Sequence, residues 1–376
     1  MTTLGITGAD GFFGWHLKCR CVTFGQEFAT ANRETFSSDA ALDEFVNSVD
    51  VIAHLAGVNR ANEPEEIVAG NVGMAEQLVA AFERTGAKVD VVYANSVKAD
   101  EPGPYGESKA KAAEMLRGYA EKASTRFESI KFPHLFGEFG RPYYNSGVTT
   151  FAHQLVNGEP STVNEGQLEL LHVQDAAALI LDFVDNPDSE RLAESRPQGR
   201  KISVPETYEL MRRLADYATT GTIPEIVDDE FELRLFNTIR SQMWPDAYPF
   251  ALSKHADQRG AFFEVVRAWG QGQTSISTTV PGVIRGEHYH LDKVERFAVI
   301  SGQANIRVRR LFTEDVIEFD VSGGEPCFID MPPLCTHDIT NTGDSELVTL
   351  FWSHDHFDPD NGDTWSLQVV GEELAA

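Results

Sequence analysis

Ser96, Tyr105 and Lys109 have side chains and a spacing that suit proton transfer to a carbonyl group. Tyr105 and Lys109 lie four residues apart at the start of a predicted helix, so they share one helix face, and an ammonium group there lowers the pKa of a phenol. Ser96 ends the preceding predicted strand, where its hydroxyl can hydrogen-bond the same carbonyl oxygen. As a set they predict a proton donor for a carbonyl that accepts hydride, although each alone is also typical of an ordinary surface position.

A glycine-rich stretch, GITGADGFFG, places Gly8, Gly11 and Gly14 directly after the first predicted strand. Without side chains there, a diphosphate can approach the backbone amides at the start of the next helix, where the helix dipole favours an anion. The second strand leads into Asn32 and Arg33, where NAD-binding folds usually carry an acidic residue. A cation suits a 2′-phosphate and predicts NADPH; the alternative is that Arg33 only faces solvent.

Four possible metal ligands lie in the last third of the chain. His288 and His290 are two residues apart, so on a strand they point to one face, and Glu295 and His337 follow. Three imidazoles and one carboxylate suit Zn²⁺, with Ni²⁺, Mn²⁺ or Fe²⁺ as alternatives. The pair Cys19 and Cys21 is a weaker metal candidate, because no second pair lies near it.

The elements that position these residues change type along the chain. Up to about residue 135, short apolar runs alternate with helical segments, which is typical of βαβ units and a parallel sheet. From Phe262 onward, short β-rich runs separated by Gly, Pro, Asp and Asn indicate an all-β barrel or jelly roll. We therefore expect two domains, 1–245 and 246–376, with a boundary near Pro245 and Pro249. The predicted strands are Leu4–Thr7, Phe28–Ala31, Val51–Leu55, Val89–Ala94, Ser129–Phe132, Phe262–Val266, Ser275–Val280, Phe297–Ile300, Ile306–Val308, Val316–Phe319, Phe328–Ile329 and Val348–Trp352, and the later predicted helices lie near Val148–Leu155, Val173–Val184 and Tyr208–Tyr217.

Composition restricts the partners. The 376 residues carry 58 acidic and 31 basic side chains, a formal net charge of −27, which argues against nucleic acid or an anionic membrane as partner. No signal peptide and no apolar stretch long enough for a membrane span is visible. Four cysteines in so long a chain favour a reduced compartment, so we expect a cytoplasmic protein.

The first two thirds of the chain resemble the extended short-chain dehydrogenase/reductase (SDR) family. The resemblance rests on the glycine motif, HLAG at 54–57, Ser96, the YxxxK pair, KFPHLFG at 131–137 and LLHVQDAA at 170–177. It implies a Rossmann-type doubly wound parallel sheet, with Ser96, Tyr105 and Lys109 catalytic in nicotinamide-dependent hydride transfer, often on nucleotide-sugars. His134 stands where the family usually has asparagine. The implied cofactor contacts are Gly8, Gly11, Phe12, Phe13, Gly14, Arg33, Leu55, Ala56, Tyr105 and Lys109, and the implied substrate contacts are Asn59, His134, Arg141 and Asn145. Lys131 is a further candidate for binding the diphosphate.

The C-terminal third resembles the cupins. Gly282 through Gly302 match the spacing of the first cupin motif, and PPLCTHDITN resembles the second, with Leu334 where glycine is usual. DQRGAFFE (257–264) and GVIRGEHYH are similar to cupin sugar epimerases that act on 4-keto-6-deoxy nucleotide-sugars without metal. There the histidine matching His288 is the base, and glutamine is usual at 290. His290 favours a metal here, while His288 remains a candidate for both roles.

Over the whole chain, the order of domains resembles bifunctional capsular polysaccharide enzymes in which an extended SDR is fused to a cupin. Shared stretches include HLAGVNR (54–60), PYGESK (104–109), YNS (144–146) and FDP (357–359). The resemblance implies a homodimer acting on a UDP-sugar: C3 epimerisation of a UDP-4-keto-6-deoxy-HexNAc in the cupin, then NADPH-dependent C4 reduction to UDP-N-acetyl-6-deoxy-L-talosamine, a step toward UDP-N-acetyl-L-fucosamine.

Two alternatives remain open. The protein could be a nucleotide-sugar 4-keto reductase whose metal-binding cupin is purely structural, in which case no solvent deuterium would enter at C3. It could also be a non-catalytic binding or regulatory protein, in which case no keto-sugar would cause NADPH to be consumed. The complete Ser96, Tyr105 and Lys109 set counts against the second alternative.

Overall fold

The computed structural model describes residues 2–61, 63–225, 229–258, 260–356, 358 and 362–371. Arg259 of the DQRGAFFE stretch and Phe357 and Pro359 of the FDP stretch therefore lie outside the described residues. The elements up to Ser203 are, in chain order, β1 (Leu4–Thr7), α1 (Phe12–Phe24), β2 (Phe28–Ala31), α2 (Arg33–Phe36), α3 (Asp39–Asn47), β3 (Val51–His54), α4 (Pro64–Thr85), β4 (Asp90–Ser96), a short 3₁₀ helix (Val97–Asp100), α5 (Pro104–Ala123), β5 (Phe127–Phe132), β6 (His134–Phe136), α6 (Gly147–Asn157), β7 (Gln167–His172), α7 (Val173–Asp185), β8 (Leu192–Ser195) and β9 (Arg200–Ser203). The later elements are α8 (Val204–Ala215), α9 (Tyr217–Thr220), α10 (Glu230–Met243), β10 (Phe250–Ala251), β11 (His255–Asp257), β12 (Gly260–Phe262), β13 (Gln273–Thr279), β14 (Ile284–Tyr289), β15 (Glu295–Ser301), β16 (Gln303–Arg310), β17 (Val316–Ser322), β18 (Cys327–Met331), β19 (Cys335–Asn341), β20 (Leu347–Ser353) and β21 (Trp365–Ser366).

The chain divides into two compact units. Residues up to Phe136 together with Gln167–Ile202 form the N-terminal unit, while Gly137–Gly166 together with the residues from Ser203 onward form the C-terminal unit. This division by contacts does not follow chain order, because α6 belongs with the later residues. The domain boundary at residue 245 stays a prediction.

The N-terminal unit is built on a six-stranded sheet in the order β2-β1-β3-β4-β5-β8, with every neighbouring pair parallel. Strands β1 and β3 are buried along their whole length, as expected for a sheet covered on both faces. A second, three-stranded sheet has the order β6-β7-β9. The predicted Rossmann-type parallel sheet is confirmed. Ligands of such sheets bind at the carboxyl ends of the strands, where the strand order reverses.

Helices cover both faces of the six-stranded sheet. Leu42, Phe82 and Leu116 bring α3, α4 and α5 into one apolar cluster. Leu17 and Ile180 bring α1 and α7 into the other. Burying these side chains from both faces fixes the sheet, and with it the turns at the strand ends.

The C-terminal unit contains two five-stranded antiparallel sheets, in the orders β10-β18-β15-β20-β13 and β17-β16-β19-β14-β21, and the hairpin β11-β12. The predicted all-β cupin fold is confirmed, and its strands alternate inward and outward side chains. The predicted strand Phe262–Val266 is wrong beyond its first residue, since β12 ends at Phe262. Helices α6, α8 and α10 pack against one another in this unit, and α10 was not predicted.

A buried ion pair links helical and β parts of the C-terminal unit. The Arg296 guanidinium donates to both carboxylate oxygens of Asp330, at 2.7 and 3.0 Å, and the two side chains are 1% and 0% exposed. Arg296 also donates to the carbonyl of Gly221, and the Tyr217 hydroxyl donates to Asp330. These hydrogen bonds compensate for the desolvation of the two charges.

No helix among the described residues is long and apolar enough to span a membrane.

Candidate functional site

The turn between β1 and α1 requires glycine at two positions. Gly8 has φ +72°, and a Cβ there would lie 2.8 Å from the backbone of Ala56. A Cβ on Gly14 would lie 2.2 Å from the carbonyl oxygen of Gly8. Gly11, the N-cap of α1, has no side-chain cap, so no side chain competes with an anion for the amides of the first turn. The turn therefore fits a dinucleotide diphosphate.

The other predicted cofactor contacts surround this turn unevenly. Phe12 and Phe13 start α1, and Phe13 packs edge-on against the Phe132 ring at 5.3 Å. Leu55 and Ala56 follow β3 and are half-buried. Arg33 is the exposed first residue of α2 and forms no ion pair with a described residue. Its guanidinium can therefore reach a phosphate. That Arg33 binds the 2′-phosphate of NADPH stays a prediction, and the alternative is that it only faces solvent.

Ser96 and Tyr105 are brought together. Ser96 ends β4, and its hydroxyl accepts a hydrogen bond from the Lys98 amide at 3.2 Å. Burial raises the pKa of the Tyr105 phenol, and the neighbouring Ser96 hydroxyl partly offsets the rise. The phenol is therefore protonated at neutral pH and can act as a proton donor.

Lys109 lies one helical turn beyond Tyr105 and is buried. Its ammonium donates to the Ala94 carbonyl at 2.6 Å and lies 4.1 Å from the centre of the Tyr93 ring. Burial lowers the pKa of Lys109 to about 7. The pKa shift of Tyr105 comes from burial and from Ser96. That Lys109 lowers the pKa of this phenol stays a prediction.

Sequence reasoning missed the residues that enclose Lys109. The Tyr93 ring stacks on the ring of His54, whose Nδ1 is 2.8 Å from the Thr7 hydroxyl. Burial, followed by the charge of Lys109, lowers the pKa of His54 to about 3, so this imidazole is neutral. His54 belongs to the HLAG stretch, so the motif indicated the position but not its contacts.

A second missed residue, Asn71 on α4, holds the chain after β3. It is 1% exposed, accepts from the Val58 amide at 2.8 Å, and donates to the Val58 carbonyl and the Ser108 hydroxyl, each at 3.0 Å. The Ser108 hydroxyl in turn donates to the Tyr105 carbonyl. Asn71 therefore ties the β3 end to the helix that carries Tyr105. An amide at one position of an amphipathic helix gives no sequence signal for this role.

The predicted substrate contacts fall in both units. Asn59 follows β3, and His134 begins β6; both are exposed in the N-terminal unit. Arg141 and Asn145 are exposed in the C-terminal unit, and the Arg141 guanidinium lies 5.3 Å from the Tyr144 ring.

Lys131, a further candidate for binding the diphosphate, is paired with two carboxylates of the protein. Its ammonium lies 2.7 Å from Asp100 and 2.8 Å from Glu194. Both carboxylates satisfy this cation within the protein, so Lys131 is a weak candidate for binding a diphosphate.

The four predicted metal ligands converge inside the C-terminal unit. His288 on β14 is paired in register with His337 on β19, His290 directly follows β14, and Glu295 begins β15. One ligand atom from each of the four lies within 4.8 Å of the others. The Glu295 carboxylate is 3.1 Å from Nε2 of His290 and 3.5 Å from Nε2 of His337. Four ligands about 2.0–2.2 Å from a central Zn²⁺ lie roughly 3.4 Å from one another, so the most distant ligand atoms of this cluster would approach by up to about 1.4 Å on binding.

The rings of His290 and His337 are each oriented by a hydrogen bond from Nδ1, the ring nitrogen that faces away from the cluster. Nδ1 of His290 donates to the Asp363 carbonyl, and Nδ1 of His337 donates to the Cys335 carbonyl at 3.2 Å. Nε2 of each ring then faces the cluster, and that of His337 is buried without a hydrogen-bond partner among the described residues. An unsatisfied buried nitrogen beside a carboxylate fits a divalent cation.

The electrostatics of the cluster agree with this donor set. Burial, followed by the neighbouring imidazoles of His337 and His290, lowers the pKa of His288 to about 3. Burial raises the pKa of Glu295, but the two neighbouring imidazoles outweigh it and hold that pKa well below its usual range. A neutral imidazole and an ionised carboxylate are the forms that bind metal.

Unusual backbone conformations shape the strands around the cluster. Glu287 has φ +56°, at an irregularity in the β14–β19 register between Gly286 and His288. Leu334, where related motifs carry glycine, has φ +59°, and its amide donates to the His290 carbonyl at 2.7 Å. The departure from the motif therefore leaves the glycine-like backbone conformation in place, at a cost of about 1–2 kcal/mol.

Comparison with known proteins places both halves. Residues 4–195 match the NAD dependent epimerase/dehydratase family, and residues 255–365 match the polysaccharide biosynthesis C-terminal domain. The chain is 33% identical over 367 residues to the UDP-2-acetamido-2,6-beta-L-arabino-hexul-4-ose reductase of Pseudomonas aeruginosa strain PA103, covering 97% of this chain and 98% of the relative. It is 28% identical over 134 residues to the spore coat polysaccharide biosynthesis protein SpsL of Bacillus subtilis, covering 32% of this chain and 89% of SpsL.

Solved structures give the same picture. The capsular polysaccharide assembling protein CapF from Staphylococcus aureus is 32% identical, with a TM-score of 0.63 over 98% of this chain and 100% of CapF. The UDP-glucose 4-epimerase of Thermus thermophilus, solved with NAD, is 15% identical, with a TM-score of 0.54 over 65% of this chain and 99% of that one. At that identity the second likeness shows the fold alone.

Proposed function

The chain belongs to the NAD dependent epimerase/dehydratase family, and from this we propose that it reduces the C4 ketone of a UDP-4-keto-6-deoxy-N-acetylhexosamine after epimerisation at C3. The product is UDP-N-acetyl-6-deoxy-L-talosamine, a precursor of surface polysaccharide. The observation that carries the proposal is that three side chains lie together at the end of β4: Ser96, the Tyr105 phenol, whose pKa burial raises and Ser96 partly lowers, and buried Lys109, whose ammonium donates to the Ala94 carbonyl of β4. The reductase name of the Pseudomonas relative supports the substrate class.

In the reduction, the residues of the N-terminal unit hold the ketone and move one proton. Ser96 and Tyr105 hydrogen-bond the C4 oxygen, and the Tyr105 hydroxyl gives its proton to that oxygen as C4 gains a hydride. NADPH would supply the hydride when bound; Gly8, Gly11 and Gly14 would admit its diphosphate, and Arg33 would hold its 2′-phosphate. The Lys109 ammonium stabilises the phenolate left on Tyr105.

In the epimerisation, a base removes the C3 proton, the electron pair moves into the enolate of the C4 ketone, and a proton that exchanges with solvent is added to the opposite face of C3 as the ketone re-forms. The neighbouring C4 ketone acidifies the C3 proton, so epimerisation precedes reduction. His288 is the most exposed of the four cluster residues and is our candidate for the base. His290, Glu295 and His337 would hold a divalent metal, which we propose to be Zn²⁺, and His288 is either its fourth ligand or, with its nitrogen free of the metal, the base. Such a metal would polarise a keto oxygen or link the strands structurally.

A second function is favoured by one observation. Three imidazoles and one carboxylate already make four protein ligands, and a site with four protein ligands is typical of structural zinc. On this alternative the protein is a nucleotide-sugar 4-keto reductase whose cupin only supports the fold, and epimerisation at C3 belongs to another enzyme.

The experiment follows enzymatically prepared UDP-4-keto-6-deoxy-HexNAc in D₂O, with NADPH absorbance reporting reduction and NMR reporting deuterium at C3. The variants are Tyr105→Phe and His288→Ala. Tyr208→Phe and the exposed His356→Ala are the matched controls. We expect Tyr105→Phe to exchange C3 hydrogen while NADPH oxidation falls by about 10²–10⁴-fold, and His288→Ala to lose the exchange.

Three other outcomes would contradict parts of the proposal. Exchange that persists in His288→Ala rejects the cupin assignment and favours the reductase with a structural barrel. Full NADPH oxidation in Tyr105→Phe rejects the proton donor. No NADPH oxidation by the wild-type protein with the keto-sugar favours a non-catalytic binding protein.

A further inference from the structure

Asp363 lies next to β14, the strand that carries His288 and leads directly into His290. It precedes β21, whose Trp365 and Ser366 pair with Tyr289 and His288 of β14. The sequence reasoning assigned no role to Asp363, which is 73 positions from His290 along the chain. Its contacts nevertheless converge on the segment that joins two ligands.

The Asp363 carboxylate accepts hydrogen bonds from three successive backbone amides. These belong to Leu291 (2.8 Å), Asp292 (2.8 Å) and Lys293 (2.9 Å), and the indole of Trp365 donates a further bond at 3.1 Å. Residues 291–294 form the ligand loop, the connection between His290 and Glu295. A carboxylate that accepts several amide bonds is held in one position and holds the amides in return.

The main chain of Asp363 contacts the ligand itself. Its carbonyl oxygen accepts the Nδ1 proton of His290. Because a carbonyl can only accept, this bond places the proton on Nδ1 and leaves Nε2 of the ring for the cluster. One residue therefore sets both the tautomer of a ligand and the path of the loop that follows it.

We propose that Asp363 is a positioning residue for the metal centre: it preorganises His290 and the ligand loop, and thereby raises the affinity of the four-ligand site for a divalent cation. This inference rests on the metal site put forward under Proposed function. Partners that hold a ligand from behind typically change metal affinity by about 10–100-fold when they are removed.

Two other contacts keep the loop anchored when Asp363 is changed. The side-chain amide of Asn237 donates to the Asp292 carbonyl at 2.8 Å, and Nδ1 of His354 accepts from the Val294 amide at 3.0 Å. The loop thus retains attachments to α10 and to the end of β20. We expect Asp363 variants to fold, with a loop that is less tightly held.

The test compares full-length wild type, Asp363→Ala, Asp363→Asn and the control Asp315→Ala after removal of metal. Asp315 is exposed and forms no hydrogen bond or ion pair with a described residue. Zn²⁺ affinity is measured by competition with a colorimetric chelator, and Co²⁺ absorption reports the coordination geometry. Circular dichroism and thermal unfolding of the metal-free proteins report folding.

Asp363→Ala keeps the main-chain bond to His290 but loses the carboxylate that holds the ligand loop, so it should bind Zn²⁺ about 10-fold more weakly than wild type, the lower end of the effect of removing a partner behind a ligand, with an altered Co²⁺ spectrum. Asp363→Asn should lose less, because one oxygen remains to accept from the amides, and Asp315→Ala should match wild type. If a folded Asp363→Ala binds as wild type does with an unchanged spectrum, the inference is wrong. If the alanine variant does not fold, an asparagine variant that binds like wild type refutes it equally. Absence of Zn²⁺ binding by wild type would instead overturn the metal centre, and this inference with it.

Discussion

The low pKa of Lys109 makes the stability of the N-terminal unit depend on pH in a defined direction. An exposed lysine keeps its proton up to about pH 10.4, whereas burial lowers the pKa of Lys109 to about 7. Between these two values the unfolded chain binds more protons than the folded chain, so the free energy of unfolding rises as pH increases. Below pH 7 both states are protonated, and the cost of burying the ammonium is felt in full.

The size of the effect follows from the two pKa values. For a folded pKa of about 7 and an unfolded value near 10.5, raising the pH from about 7 to about 9 should add roughly 2 kcal/mol to the free energy of unfolding. Lys109→Met removes this contribution. Lys111→Met is the matched control, because Lys111 is exposed on the same helix.

Hydrogen exchange measured by mass spectrometry on peptides of β1 and β4 reports opening of the N-terminal unit, after correction for intrinsic exchange rates. We expect wild type and Lys111→Met to gain stability from about pH 7 to 9 by the same amount, and Lys109→Met to gain roughly 2 kcal/mol less. Equal gains in wild type and Lys109→Met would refute the reasoning and show that the Ala94 carbonyl and the Tyr93 ring compensate for burial of the charge.

Two further predictions concern packing. Gly14→Ala should abolish NADPH binding measured by fluorescence, because the new Cβ would lie 2.2 Å from the Gly8 carbonyl oxygen. The control Gly73→Ala, whose Cβ meets nothing within 4 Å, should bind NADPH normally. NADPH binding by Gly14→Ala would show that the turn can shift. Asp330→Ala should lower the free energy of unfolding of the C-terminal unit by about 3–5 kcal/mol, because it leaves the Arg296 guanidinium buried without its carboxylate. Urea unfolding measures this loss, and a loss below about 1 kcal/mol would mean that water reaches the guanidinium.

The parallel strands of the N-terminal unit could be predicted because buried strands form continuous apolar runs. Predicted Leu4–Thr7 agrees at both ends with β1, which is buried throughout, and predicted Phe28–Ala31 agrees with β2, an edge strand that is only half-buried. The region between the two predicted domains was harder. Helix α10 was missed although Glu230–Met243 is amphipathic, because its buried face includes Arg234, Asn237 and Arg240, which do not look like core residues in a sequence.

The chemistry-bearing side chains could be identified from spacing, because a helix repeat joins Tyr105 to Lys109 and a strand repeat joins His288 to His290. Their charge states could not, because these depend on partners far away in the chain. Thr7 lies 47 positions from His54, and Asp363 lies 73 positions from His290. Spacing therefore predicts which groups can react, whereas burial and distant hydrogen bonds decide which of them carries a proton at neutral pH. An ammonium with a pKa of about 7 and an imidazole fixed in one tautomer are properties of the fold, and any redesign of either site has to preserve those distant contacts together with the motif.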